Sequence, residues 1–302
     1  MNAENQKKCG FVALIGPTNA GKSTLLNCLV GAKLAIVTHK VQTTRSRLRG
    51  IAVLGDAQII FVDTPGIFKP QRRLDRAMVQ AAWGGAEEAD SIVLVIDAVR
   101  GLNADARTIL DGLTSTRRKA VLALNKIDLI KREDLLALAE KFNQTGLFTR
   151  VFMIAASNGD GVDDLRNFLA DNAAPGPWLY PEDQLSDATE RMMASEITRE
   201  KLFLRVHQEL PYDSTVETEA WKEMKNGSAR IDQIIYVRRD SQKPIILGKS
   251  GQTIKQIGEA ARIEMEKAFD RRIHLFLHVK VNEKWLDEPA RYRMMGLEFN
   301  RD

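Results

Sequence analysis

The segment Gly16-Pro17-Thr18-Asn19-Ala20-Gly21-Lys22-Ser23 constrains this chain more than any other. It matches G-x-x-x-x-G-K-[ST] and lies between the apolar run Phe11–Ile15 and a helical stretch that opens at Lys22. That context calls for a strand, a curled loop and a helix in succession. Glycines let the main chain curl until several N–H groups converge on one anion, and the helix N-terminus adds its dipole. Lys22 supplies a point charge for terminal phosphates. Ser23, followed by Thr24, offers a hydroxyl to magnesium, which prefers oxygen ligands. The loop implies a nucleoside triphosphate and leaves the base open.

The sequence around the loop supplies the sheet it needs. Short apolar runs at Phe11–Ile15, Ile51–Leu54, Ile59–Val62, Ile92–Ile96, Ala120–Leu124 and Val151–Ile154 read as buried strands. Gly55-Asp56 separates two of them by a hairpin turn, so one strand is antiparallel; helix-length segments separate the rest, as in βαβ units. The expectation is a mixed six-stranded sheet with helices on both faces, covering residues 1–172. Ligands of such sheets bind at the carboxyl ends of the strands. Residues 173–185 include APGPWLYP, with three prolines and a glycine, and read as a linker. Residues 186–302 follow a different order: a long helix Ser186–Leu210, two strands near Ser214–Lys222 and Ala229–Arg238, a helix Gln252–Phe269, and the alternating strand Arg272–Val281.

Two further motifs fall at strand ends. Asp63-Thr64-Pro65-Gly66-Ile67 follows Ile59–Val62; the aspartate can hold magnesium through water, and the Gly66 amide can touch a γ-phosphate. Gln42-Thr43-Thr44-Arg45 lies in the preceding polar loop, where one threonine would complete the magnesium shell. Asn125-Lys126-Ile127-Asp128 follows Ala120–Leu124. An ionised aspartate only accepts hydrogen bonds, and guanine offers it two adjacent donors where adenine offers none. Such a site discriminates by about 10⁴-fold. The Lys126 stem can cover the base face. Three motifs in this order, at these spacings, indicate binding and hydrolysis of GTP with Mg²⁺.

Bulk properties exclude other classes. The 302 residues are 44% hydrophobic and 28% charged, as expected of a globular protein with room for two domains. No run approaches the ~18 apolar residues of a membrane span, and the polar N-terminus lacks a signal-peptide core. A cytoplasmic location is expected. Cys9 and Cys28 form neither a zinc pattern nor a disulfide framework, and Cys28 reads as a small buried residue. Net charge is only +4, but Arg230–Arg272 holds ten basic and six acidic residues.

The cues GPTNAGKS, QTTR, DTPGI and NKID, followed by RDSQKPIILGKSGQTIKQIG at Arg239–Gly258, resemble the Era family of ribosome-assembly GTPases over nearly the whole chain. The resemblance implies a Ras-like P-loop fold followed by an α+β type II KH domain. It favours Thr44 over Thr43 as magnesium ligand, beside Ser23 and Asp63. It places Ala155-Ala156 where the family usually has Ser-Ala, with the Ala156 amide facing guanine O6. It implies that Gly248-Lys249-Ser250-Gly251, with Lys243 and Lys255, grips an RNA backbone. By their charge, Arg271, Arg272, Lys280 and Lys284 can add phosphate contacts, or serve only surface solubility. The implied partners are small-subunit ribosomal RNA near its 3′ end and the 30S particle, with the protein a monomer; peripheral contact with the inner face of the cell membrane is a family analogy. Ile67 replaces the glutamine that orients water in Ras-like proteins, so slow intrinsic hydrolysis is expected. Lys22, Thr44, Gly66 and Asn19 are the expected catalytic set, with Asn19 helping to hold K⁺ beside the phosphates. A membrane-peripheral signalling GTPase with a protein-binding C-terminal domain is the alternative. A tRNA-modifying enzyme is a weaker one, because no second catalytic fingerprint stands outside the nucleotide motifs.

Overall fold

The computed structural model describes residues 6–299 apart from Val41, Gln208 and Glu209. The chain divides into two compact units, one containing Thr44–Asp187 with the preceding residues up to Ala35 and those from Arg293 on, the other Ile36–Thr43 with Ala188–Tyr292.

In the first unit the order is β1 (Lys8–Ile15), α1 (Lys22–Val30), β2 (Leu48–Leu54), β3 (Ala57–Asp63), α2 (Arg73–Glu88), β4 (Ser91–Asp97), α3 (Ala104–Ser115), β5 (Ala120–Asn125), α4 (Arg132–Asn143), β6 (Phe148–Ile154) and α5 (Val162–Asp171). The strands form one sheet, β2-β3-β1-β4-β5-β6, parallel except for the antiparallel β2–β3 hairpin. Strands covered on both faces lose the polar alternation of one-sided sheets. All seven positions of β3 and all six of β5 are accordingly buried. Each such Leu or Ile contributes about 1.5–3 kcal/mol by leaving water. One core lies against α1 and α5, the other against α2, α3 and α4. The register sets the ends level: Leu14 pairs with Asp63, Asp97 with Asn125, and Asn125 with Ile154. Strand order reverses at β1, so the loop after it opens at the crevice where such sheets bind ligands.

The proline-rich stretch is tied down on this unit. Gln58 is fully buried in β3; its Oε1 accepts the Leu179 and Tyr180 amides at 2.8 and 3.0 Å, and its Nε2 donates to the Tyr180 carbonyl at 2.8 Å. Trp178 Nε1 donates to the Asp56 carbonyl, and the Cys9 and Gly176 amides donate to Ala174 and Lys7 carbonyls. A buried amide side chain needs such partners, and these polar backbone groups supply them.

In the second unit α6 (Glu190–Arg205) precedes β7 (Ser214–Glu223), β8 (Ala229–Val237), α7 (Lys243–Leu247), α8 (Gln252–Phe269), β9 (Ile273–Val281) and α9 (Pro289–Met294). The sheet order is β7-β8-β9, the first pair antiparallel and the second parallel. The face bearing Ile273, Leu275, Leu277, Val279 and Val281 packs on α6 and α8, as the alternation in β9 predicts. The first helix is shorter than the expected Ser186–Leu210. Thr189 accepts the Met192 amide and caps its start, while Val206 is already extended. The expected end overlaps residues outside those described. Within the same unit, Lys40 donates to the Phe203 and Val206 carbonyls at the helix end, where a cation is favoured.

Candidate functional site

Gly21 shows how closely the phosphate loop is built. It closes the loop with φ 96°, a conformation that favours glycine, and a Cβ there would lie 2.2 Å from Asn125 Nδ2. Asn125, only 2% exposed, donates from Nδ2 to the Ala20 carbonyl at 2.8 Å and accepts the Ala156 amide on Oδ1 at 3.0 Å. One side chain therefore joins the phosphate loop, the strand carrying the base motif and the loop after β6. The Ala156 amide, expected to face guanine O6, is a tie between loops in this structure. Ala155 is buried beside it, its amide donating to the Asp160 carbonyl.

The other loops close on the same place. Lys22, 6% exposed, donates to the Gly16 and Pro17 carbonyls, both at 3.0 Å. Burial pushes its ammonium down to about 8, against the pull of Asp63. The Ile67 amide donates to the Gly16 carbonyl at 3.0 Å and Thr64 Oγ1 donates to Leu14 O at 2.8 Å, which pins the Asp63–Ile67 turn against β1. Gly66 and Pro65 are buried there, with Gly66 next to Thr18. The Ile67 side chain is 1% exposed and belongs to the core.

Ser23, Thr44 and Asp63 meet. Ser23 Oγ donates to Asp63 Oδ2 at 2.7 Å, lies 2.8 Å from Thr44 Oγ1, and Thr44 Oγ1 is 3.5 Å from the same carboxylate oxygen. Thr43 is occupied elsewhere, with its hydroxyl on Thr38 and on the Lys40 carbonyl. Asp63 is fully buried, and its Oδ1 makes no hydrogen bond. Burial raises its carboxyl to about 6, although Lys22, Ser23 and Thr44 oppose the shift. Two hydroxyls and a carboxylate with an oxygen to spare form the all-oxygen set that Mg²⁺ requires. The residues present fit that ion.

The base motif turns sharply after β5. Lys126 adopts φ 67° and begins a short 3₁₀ turn, Ile127–Leu129, which presents Asp128 to solvent. Lys126 Nζ donates to Asp97 Oδ2 at 2.6 Å and to the Asn19 carbonyl at 2.9 Å. Sequence reasoning passed over Asp97. Its one signal is a carboxylate directly after the apolar run Ile92–Ile96.

In the second unit the Gly248–Gly251 turn joins α7 to α8. Gly248 has φ 71°, and a Cβ there would sit 2.1 Å from Thr253 Oγ1. Ser250 and Gly251 are also left-handed. Lys243, Lys249 and Lys255 are exposed around it. Ile246 and Ile257 are core residues, while Leu247 and Ile254 are only partly covered. Arg271, expected to add a phosphate contact, is already paired with Glu190 and Glu223, and Lys280 with Glu219. Cys28, expected to be buried, is partly buried and packs against the first core, and Cys9 is likewise partly buried; both are free thiols, and burial raises the pKa of both. Among the described residues no helix is long and apolar enough to cross a membrane.

A family model described as 50S ribosome-binding GTPase matches residues 11–126, and a KH domain model matches residues 209–286. The chain is 62% identical to the GTPase Era of Agrobacterium fabrum, over 97% of this chain and 93% of that protein. It belongs to the Era family of GTPases. The Era of Bradyrhizobium sp. is 56% identical over the full length of both chains. Among solved structures, Aquifex aeolicus Era bound to GDP·AlF₄⁻ superposes with TM-score 0.90 at 36% identity, covering 96% of this chain and 99% of that one. Era in complex with MgGDPNP and nucleotides 1506–1542 of 16S ribosomal RNA gives TM-score 0.91, with the same identity and coverage. The Era-type architecture, a P-loop GTPase sheet followed by a KH domain, is the one described above.

Proposed function

We propose that this chain is a GTP-hydrolysing switch whose KH unit binds small-subunit ribosomal RNA near its 3′ end and assists maturation of the 30S subunit in the cytoplasm. Residues 1–172 act as the nucleotide unit, 173–185 as the connecting stretch and 186–302 as the RNA unit. The observation that carries the reading is the exposed, lysine-flanked GKSG turn at the start of α8, in a chain whose solved relative holds both MgGDPNP and 16S RNA. Left-handed glycines let phosphates approach the main chain, and KH domains use such a turn to clamp about four nucleotides of backbone.

In the nucleotide unit, the amides from Gly16 to Thr24 receive the phosphates, and Lys22 turns from its loop carbonyls to the β- and γ-oxygens. Ser23, Thr44 and Asp63 hold magnesium, which neutralises charge on the phosphates. Thr44 and the Gly66 amide sense the γ-phosphate, so its loss releases both loops. Asp128 selects guanine, and Lys126 covers the base. The buried Ile67 side chain cannot orient water, so intrinsic turnover is slow. Asn19, left-handed at φ 62° on the loop, helps hold K⁺ where negative charge builds. Equal hydrolysis in Na⁺ and K⁺ would remove that last role.

The test is crosslinking to cellular RNA with Gly248→Asp and, because Lys249 is exposed and its loss leaves the fold intact, with Lys249→Glu. Small-subunit ribosomal RNA should be recovered by the natural chain and largely lost by both variants. Recovery of no ribosomal RNA by the natural chain, or recovery by both variants equal to that of the natural chain, overturns the reading.

A further inference from the structure

We infer that Asp97 is a positioning residue for the base site: it pins the Lys126 ammonium against the phosphate loop and so prebuilds the turn that carries Asp128. The inference rests on the guanine-nucleotide reading and deepens it.

Asp97 ends β4, in register with Asn125 of β5. Its side chain is 9% exposed and its two oxygens have separate tasks. Oδ1 accepts the Val99 and Arg100 amides at 3.0 and 3.4 Å, closing the turn after β4. Oδ2 faces Lys126 Nζ at 2.6 Å, and Arg100 Nε stands farther off at 3.8 Å. Lys126 is about one-third exposed, so the pair is partly shielded from solvent, and the ammonium has a second anchor in the Asn19 carbonyl. With two anchors at its ammonium, the lysine bridges the carboxyl end of β4 and the phosphate loop. Its backbone takes the left-handed conformation, which is strained for a non-glycine residue, and its carbonyl accepts the Leu129 amide at 3.0 Å. The turn presenting Asp128 thus begins at a residue whose side chain is fixed from outside the turn. A charge-assisted hydrogen bond of this kind is one of the stronger contacts available to a partly exposed lysine.

Asp97→Asn separates the two tasks. The amide oxygen still accepts the Val99 and Arg100 N–H groups, but an NH₂ now faces the ammonium, donor against donor. The readout is dissociation of a fluorescent GDP analogue from the full chain. Release should quicken about tenfold in Asp97→Asn, whereas Arg100→Gln should leave it unchanged. A turn-building role alone would not depend on Lys126, so the cycle is completed with Lys126→Met. In that background Asp97→Asn should add less than twofold. Should Asp97→Asn fail to fold, Asp97→Ser, whose hydroxyl retains an acceptor for the turn, takes its place in the cycle. Unchanged release in Asp97→Asn, or effects that multiply in the double variant, would overturn the inference. A natural chain that fails to bind the analogue at all would instead sink the guanine-nucleotide reading beneath it.

Discussion

Replacing Asn125 with aspartate turns the tie between three loops into a pH-readable probe. The side chain keeps its size. One oxygen still accepts the Ala156 amide, but the other now faces the Ala20 carbonyl across the 2.8 Å that Nδ2 spans. Ionised, it sets two acceptors against each other in a site 2% exposed and forfeits a buried hydrogen bond. That costs about 3 kcal/mol. The carboxyl escapes the penalty by keeping its proton, because a protonated oxygen donates to Ala20. At about 1.4 kcal/mol per pH unit, this holds the folded carboxyl roughly two units above its unfolded value. A raised folded value means the native state binds the proton more tightly, so stability falls as pH rises through that window. The variant should match the natural chain near pH 4, fall behind between about pH 4 and 6, and stay about 3 kcal/mol less stable above. Urea unfolding of both nucleotide-free proteins at matched pH gives the difference directly. A deficit independent of pH, or none at pH 8, would refute the tie.

Three other outcomes follow from buried polar groups. Asp63 has a folded value of about 6 against an ordinary 3.8, so the nucleotide-free chain should lose about 3 kcal/mol as pH rises through that interval. Lys22, lowered from 10.5 to about 8, should return stability between those values. In Asp63→Asn the acid-side loss should disappear from urea midpoints, and a persistent slope would assign it to another group. Gln58→Ala would leave the Leu179 and Tyr180 amides and the Tyr180 carbonyl without their partner. A loss of about 2–4 kcal/mol is expected, with faster proteolysis within 174–187; unchanged cleavage would mean that other contacts hold this stretch.

Much of this was legible because it depends on local chemistry. A strand covered on both faces must be apolar throughout, and the runs around residues 59–62, 92–96 and 120–124 show it. The phosphate loop and the base motif depend on residue types at fixed spacing. Relations between distant side chains were less visible. Composition marks residues 174–181 as a linker, yet the polar Gln58 among the apolar residues of AQIIFVD signals that something must satisfy a buried amide. Thr43 and Thr44 are equivalent as letters; only the fold turns one hydroxyl to Ser23 and the other to Thr38. Asp97 carries no spacing signature, because its partner lies 29 residues away on a neighbouring strand end. Arg271 looked available to phosphate until the fold set Glu190 and Glu223 beside it.

Guanine selection by Asp128 is the claim on which the nucleotide chemistry rests. Competitive binding of GTP, ATP and xanthosine triphosphate to the natural chain and to Asp128→Asn, with magnesium present, tests it most directly. The natural chain should prefer GTP over ATP by about 10⁴-fold, and the variant should shift its preference towards xanthosine triphosphate. A natural chain that takes ATP equally well, or a variant that keeps its preference for GTP, would contradict the account.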